Sequence, residues 1–243
     1  MDEALRIRQQ VELPVYDRLG YVRSKAVTMG YTADILQARG ELDEALRIRQ
    51  QEQLPVYQRL GDVREKAVTM GKIADILYRR GELEEALRIQ REEVLPNFER
   101  LGDPHLQAVV KGKIADILQA QGELEEALRI YQEQLPVRDR LGDVRGKAVT
   151  MGKIADILEK QGKLAKAISI YEQEVLPAYE NLGDTQLLIV DKANLALKYL
   201  RLTPPRRAEA NALLCQALRA AEKMRIPEAG QIERILKRFE MKC

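Results

Sequence analysis

The sequence predicts an all-α fold, a solenoid of antiparallel helix pairs, and three observations carry that reading. Most of the fifteen glycines fall into three ladders: Gly20, Gly61, Gly102, Gly142 and Gly183; Gly30, Gly71, Gly112 and Gly152; Gly40, Gly81, Gly122 and Gly162. Successive rungs of the longest ladder are 41, 41, 40 and 41 residues apart, and Pro14, Pro55, Pro96, Pro136 and Pro177 keep the same beat. Such a period marks one supersecondary unit copied along the chain. Apolar residues recur at spacings of three and four, and nowhere alternate over a strand length.

The elements come in order. Met1-Asp2-Glu3-Ala4-Leu5-Arg6-Ile7 repeats the register of Asp43-Glu44-Ala45-Leu46-Arg47-Ile48. The first helix is thus expected to be the second of a pair, and the chain the C-terminal part of a larger protein. The unit spanning 62–102 shows both helices. The first is predicted over Val63–Arg80, with Ala67, Met70, Ile73, Ala74 and Leu77 on one face. Asp62 can cap it, with Glu65 completing a capping box. In the next unit Asp103 is followed by Pro104, favoured at the first helical position. Gly81 suits the left-handed turn that stops the helix. The second helix starts near Leu83, with Glu84 and Glu85 where the helix dipole favours them. It turns Leu83, Ala86, Leu87 and Val94 inward and ends at Gly102. Linkers of two or three residues leave room for twelve helices, the last near Pro227–Met241. Gly71 and its equivalents are expected where helices approach closely, because glycine inside a helix costs about 1 kcal/mol against alanine.

The prolines make a sharper prediction. Ala45 to Pro55, Ala86 to Pro96 and Ala167 to Pro177 each span ten residues, but Ala127 to Pro136 spans nine. Removing one residue from a regular helix rotates the remainder of that helix by about 100° and would turn Leu141 from the core. The ten-residue copies therefore absorb the extra residue as a wide turn or π-bulge, and the nine-residue copy is the straighter helix.

Composition narrows the function. With 45% hydrophobic residues, 32% charged residues and a net charge of +2, the chain is neither disordered-like nor strongly drawn to nucleic acid or anionic lipid. No apolar run of about 18 residues points to a membrane span, and residues 1–4 do not open a signal peptide. A cytoplasmic location is expected. Cys215 reads as a small buried hydrophobe and Cys243 as a free thiol, so no disulfide framework is expected. His105 reads as a solvated turn residue. No catalytic constellation, metal set or phosphate loop stands out, and no enzyme activity or cofactor is expected. Residues 201–243 carry ten Lys and Arg against five Asp and Glu, yet Phe239 is the lone aromatic among them, so the cluster reads as a solvated cap rather than a nucleic-acid surface.

Ile73-Ala74-Asp75-Ile76-Leu77, followed by Gly81-Glu82-Leu83-Glu84-Glu85-Ala86-Leu87, resembles the tetratricopeptide repeat. The family's small residue, turn glycine and early alanine match Ala74, Gly81 and Ala86, and again Ala33, Gly40 and Ala45; Ala115, Gly122 and Ala127; Ala155, Gly162 and Ala167. The period exceeds the family's usual one by seven residues and resembles that of kinesin-light-chain-type and bacterial signalling proteins. Glu93 stands where a second small residue is usual.

The resemblance covers about residues 1–222. It implies a right-handed superhelix whose first-type helices line a peptide-binding groove. On that basis residues 1–201 form the repeat array, and 202–243 a degenerate repeat with capping helices. The groove residues would be Tyr31, Asp34, Lys72, Asp75, Tyr78, Arg79, Lys113, Asp116, Lys153, Asp156 and Asn194. The family's clamp for a terminal carboxylate wants Asn where these helices carry Asp, so that specificity is not expected. The implied function is a scaffold or sensor for a protein or peptide, with self-assembly through an exposed N-terminal helix as the alternative. The competing account of the aspartates is that each pairs with a Lys or Arg of its own or the next helix and simply solvates the surface.

Overall fold

The computed structural model describes residues 2–243, so Met1 of the register match lies outside the described residues. Among the described residues there is no strand, and twelve helices succeed one another. Five are second-type helices: α1 (Asp2–Ile7, Arg8–Glu12, Leu13–Arg18), α3 (Leu42–Arg47, Ile48–Gln53, Leu54–Arg59), α5 (Leu83–Arg88, Ile89–Val94, Leu95–Arg100), α7 (Leu124–Leu141) and α9 (Leu164–Ile170, Tyr171–Val175, Leu176–Leu182). The first-type helices between them are α2 (Val22–Arg39), α4 (Val63–Arg80), α6 (Pro104–Gln121), α8 (Val144–Lys160) and α10 (Thr185–Leu200). Helices α11 (Arg207–Met224) and α12 (Glu228–Arg238) close the chain. Two compact units result, one ending at Ala127 and one covering Leu128–Cys243.

The first-type helices begin and end as their sequence dictates. Asp62, Asp103, Asp143 and Asp184 each accept a hydrogen bond from the backbone N–H three residues on. The capping box is only half made at Asp62. Its own N–H donates to the Tyr57 carbonyl at 3.0 Å, closing the turn at Gly61, so Glu65 has no donor to receive there. Gly61 and Gly81 take φ of 64° and 83°, the left-handed conformation such turns require. The capping aspartates also join successive units: Arg64 donates to Asp103 at 3.2 Å and Arg145 to Asp184 at 2.7 Å.

The second-type helices divide as the proline count predicts. In α1, α3, α5 and α9 a π-helical segment of five or six residues precedes the proline-bearing turn. In α7, whose alanine-to-proline span is one residue shorter, Leu124–Leu141 is continuous α-helix with Pro136 inside it. The π turn takes up the surplus residue and keeps both ends in register. Leu141 does sit at the same place as Leu60 and Leu101, but all three are exposed rather than in the core.

Small residues let the helices cross closely. Ala33, Ala74, Ala115 and Ala155 in the first-type helices, and Ala45, Ala86, Ala127 and Ala167 in the second-type, are fully buried. Tyr57, Phe98, Tyr171 and Tyr179 fill the wider spaces. Gly71 is not a site of close approach: a Cβ there would lie 3.7 Å from Val94 Cγ1, ordinary van der Waals contact. Gly30 differs, since a Cβ would meet the Gln53 side-chain amide at 2.3 Å.

The C-terminal tail folds back along α11. Arg207 donates to the Phe239 carbonyl at 2.7 Å and Asn211 to the Lys242 carbonyl at 3.0 Å. One turn further on, Cys215 is disulfide-bonded to Cys243. The expectation of a free Cys243 is thereby overturned: the positions lie 28 residues apart in sequence, but the stripe Arg207, Asn211, Cys215 leads the tail to the thiol.

Candidate functional site

Asp34, Asp75, Asp116 and Asp156 occupy one position on α2, α4, α6 and α8, each half-buried beside a fully buried alanine. On α4 and α6 a lysine three residues before the aspartate reaches back to the aspartate of the preceding first-type helix. Lys72 Nζ lies 3.1 Å from Asp34 Oδ1, and Lys113 Nζ 2.5 Å from Asp75 Oδ2. Lys153 holds the corresponding half-buried position on α8. Such part-exposed pairs contribute at most about 1 kcal/mol. Their effect is to hold alternating charge along α2, α4 and α6.

The row is anchored differently in each unit. On α3, Arg49 points from the π segment toward α2 and is 2% exposed. It donates to Asp34 at 2.7 Å, to Gln53 at 2.9 Å and to the Gly30 carbonyl at 3.4 Å. Burial lowers its pKa, and the Asp34 carboxylate opposes that shift. Beside it a cavity of about 180 Å³ is lined by Tyr31, Asp34, Arg49, Gln53, Tyr57 and Lys72, among others. Three residues predicted for the groove, Tyr31, Asp34 and Lys72, therefore share one cavity. Tyr78 and Arg79 lie outside it: Tyr78 is exposed, and Arg79 donates to the Gln37 carbonyl on α2 at 2.7 Å. The Arg8 guanidinium sits 4.7 Å over the Tyr31 ring.

In the second unit α10 carries Leu197 at the aspartate position and Asn194 at the lysine position. Asp156 is met instead by Lys198, at 2.9 Å. Lys198 stands where the earlier helices bury Ile76, Ile117 and Ile157, is only 5% exposed, and also pairs with Glu159 at 2.5 Å. The Tyr171 hydroxyl donates to Asp156 at 3.2 Å, and burial, reinforced by the Asp156 charge, raises its pKa. Asp191 takes the place of the buried Thr28, Thr69 and Thr150. Burial pushes its carboxyl up to about 6, against the hydrogen bond from Asn194.

The residues that anchor both clusters, Arg49, Gln53, Asp191 and Lys198, were not among those expected. Register was the available signal. Arg49, Gln90, Tyr131 and Tyr171 form a column of polar and aromatic side chains in an otherwise apolar stripe, and Lys198 is a lysine in an isoleucine column.

Two larger cavities, about 360 and 330 Å³, recur 122 residues apart at the glycine turns, each beside an ion pair: Lys25–Asp17 at 2.5 Å and Lys147–Asp139 at 2.7 Å. Among the described residues no group of three or more His, Cys, Asp or Glu could hold a metal ion, and no helix is long and apolar enough to cross a membrane. His105 lies exposed in the first turn of α6.

Tetratricopeptide repeat models match residues 67–92 and 106–175. No curated protein matches the chain in sequence. Solved structures similar in fold include BtubC (BKLC) from P. vanneervenii, at 20% identity and TM-score 0.70 over 92% of this chain and 90% of that one. A signal transduction ATPase with numerous domains from Pyrococcus horikoshii, bearing a tetratricopeptide repeat sensor, gives 16% identity and TM-score 0.68 over 94% of this chain and 39% of that one. A Rap protein complexed with competence and sporulation factor gives 16% identity and TM-score 0.63 over 89% and 63%. At these identities the likeness is one of fold.

Proposed function

We propose that this chain, which carries tetratricopeptide repeats, is a non-enzymatic scaffold or sensor that binds an extended polypeptide on the face of its first-type helices. The observation that carries the reading is the cavity beside Asp34, Arg49 and Lys72, followed one repeat on by the same pairing between Asp75 and Lys113. One carboxylate there serves two cations, so hydrogen-bonding capacity remains for a ligand. A periodic polar row suits a main chain with its own regular donors and acceptors. The remaining groove positions are Asp116 on α6 of the first unit and, in the second unit, Lys153, Asp156 and Asn194 on α8 and α10. Structures of similar fold include a repeat sensor and a protein in complex with a factor, which is consistent with this role.

Selection of displayed 12-residue peptides on the immobilised protein tests it. Selected peptides are expected to lose affinity at least about tenfold on Lys72→Glu or on the pair Asp75→Ala and Asp116→Ala, with thermal unfolding little changed. Peptides that bind these variants equally well would place recognition elsewhere.

A second reading, self-association, is favoured by one observation. Ile7 of α1 is 39% exposed, whereas its equivalents Ile48 and Ile89 are buried, and Val11 and Val15 are exposed beside it. Light scattering at several concentrations separates the readings: a mass that rises with concentration, and falls to that of one chain with Val11→Lys, supports association.

A further inference from the structure

The wall of the cavity between α2 and α4 departs from the repeat pattern at two positions. Tyr31 stands where the next three first-type helices carry Lys72, Lys113 and Lys153. Glu65 stands at a position that is Ser24, Leu106, Gly146 or Leu187 in the other first-type helices. This wall therefore carries an aromatic ring where the next repeats carry a cation, and a carboxylate where the other repeats carry none. Both changes take the wall away from positive charge.

Its two carboxylates are not equivalent. Asp34 is met by Arg49 and Lys72. Among the described residues no cation or donor meets the Glu65 side chain. The hydrogen bonds of Glu65 run through its backbone, the N–H donating to Asp62 at 3.0 Å and the carbonyl accepting from Thr69 at 2.8 Å. Burial raises the pKa of the Tyr57 hydroxyl in the same wall, against the hydrogen bond from Gln53, and the Glu65 charge adds to the rise. The Glu65 carboxylate thus acts on the cavity side of α4.

Tyr31 offers the complementary half. It is exposed, and its ring already takes a guanidinium, that of Arg8, 4.7 Å from the centroid. Arg8 itself is held by Glu12 at 3.4 Å and is not part of the cavity wall. A carboxylate without a counter-ion and an exposed aromatic ring in one wall are the chemistry of a cation site. An anion would be repelled by Glu65. Lys72 lies seven residues further along α4, about 10 Å, and acts at the other end of the cavity.

We infer that this cavity takes a cationic side chain of a bound polypeptide, arginine before lysine, with its head between the Tyr31 ring and the Glu65 carboxylate. A planar guanidinium both stacks on a ring and forks to a carboxylate, which an ammonium does not. The inference rests on the first-type helices forming the binding face, and adds which residue that face selects beside α2.

The test uses the whole chain with 13C-labelled valine methyls, titrated with N-acetyl-arginine methylamide and its neutral isostere N-acetyl-citrulline methylamide. Val27 and Val68 of the cavity wall should shift saturably with the arginine probe, at least about tenfold more tightly than with citrulline, while the buried Val175 stays still. Glu65→Gln should bring the arginine affinity down to that of citrulline, and Tyr31→Leu should weaken it about threefold. The citrulline comparison needs no variant, so it decides the matter even if a variant fails to fold. No saturable shift, an equal response to citrulline, or an unchanged preference in Glu65→Gln would overturn the proposal. The two readings fail separately. Selected 12-residue peptides that depend on Lys72 yet carry no arginine or lysine would overturn the cation anchor and leave the binding face standing. Peptides indifferent to Lys72→Glu would overturn the face on which the anchor rests.

Discussion

Asp34 Oδ1 accepts from both Arg49, at 2.7 Å, and Lys72, at 3.1 Å, and these two bonds are energetically unlike. The Arg49 guanidinium is buried, so removing Asp34 strands a charge. Lys72 is part-exposed and can turn to water. Asp34→Ala should therefore cost about 3 kcal/mol, whereas Asp75→Ala, whose partner Lys113 is part-exposed, should cost less than about 1 kcal/mol. Urea unfolding of the two variants measures this. Equal losses would mean that Asp34 does not balance Arg49.

Gly71→Ala should stabilise the chain by up to about 1 kcal/mol, the helix-interior preference for alanine. The added methyl meets Val94 at 3.7 Å, in ordinary contact. Gly30→Ala should gain less or lose stability, because the Gln53 amide must first move and its bond with Arg49 goes with it. A shared sign and size for both variants, read from thermal unfolding, would contradict this.

Deleting Gln51 from the π segment of α3 gives that helix the nine-residue alanine-to-proline spacing of α7. The shortened helix should become continuous α-helix with Tyr57 still buried, and thermal unfolding should remain cooperative. Deleting Gln132 from α7, which has no surplus residue, should turn the C-terminal part of that helix by about 100° and broaden or abolish the transition. Similar melts for both deletions would show that the π segments do not store the extra residue.

Asp191 titrates near 6 because it is buried, above its ordinary value. A folded-state pKa above the unfolded one means the native state holds the proton more tightly. The stability this supplies is full below pH 4 and is lost as pH rises through about 6, by up to about 3 kcal/mol. Asp191→Asn should therefore be more stable than wild type at pH 7.5, with the advantage shrinking toward pH 4. Denaturation midpoints of the pair across that range check it, and a constant difference would refute it. Asn194, Asp156 and Lys198 face the carboxyl and set the residual slope.

Much of the fold was legible because glycine and proline act through local backbone geometry. Gly61 and Gly81 announce left-handed turns, and one missing residue before Pro136 announces which second-type helix lacks a π segment. The site was less legible. Asp34, Asp75, Lys72 and Lys113 could be read from repetition on one helix face, but Arg49 acts from the other helix of the pair, across a distance that sequence does not encode. The Cys215–Cys243 bond was hidden for the same reason.

Site-specific photo-crosslinking tests the binding face most directly. A benzoylphenylalanine at Tyr31 or Tyr78, both exposed on first-type helices, should capture a selected 12-residue peptide, and one at exposed Glu92 on the second-type helix α5 should not. Capture at Glu92 with none at Tyr31 or Tyr78 would contradict the account.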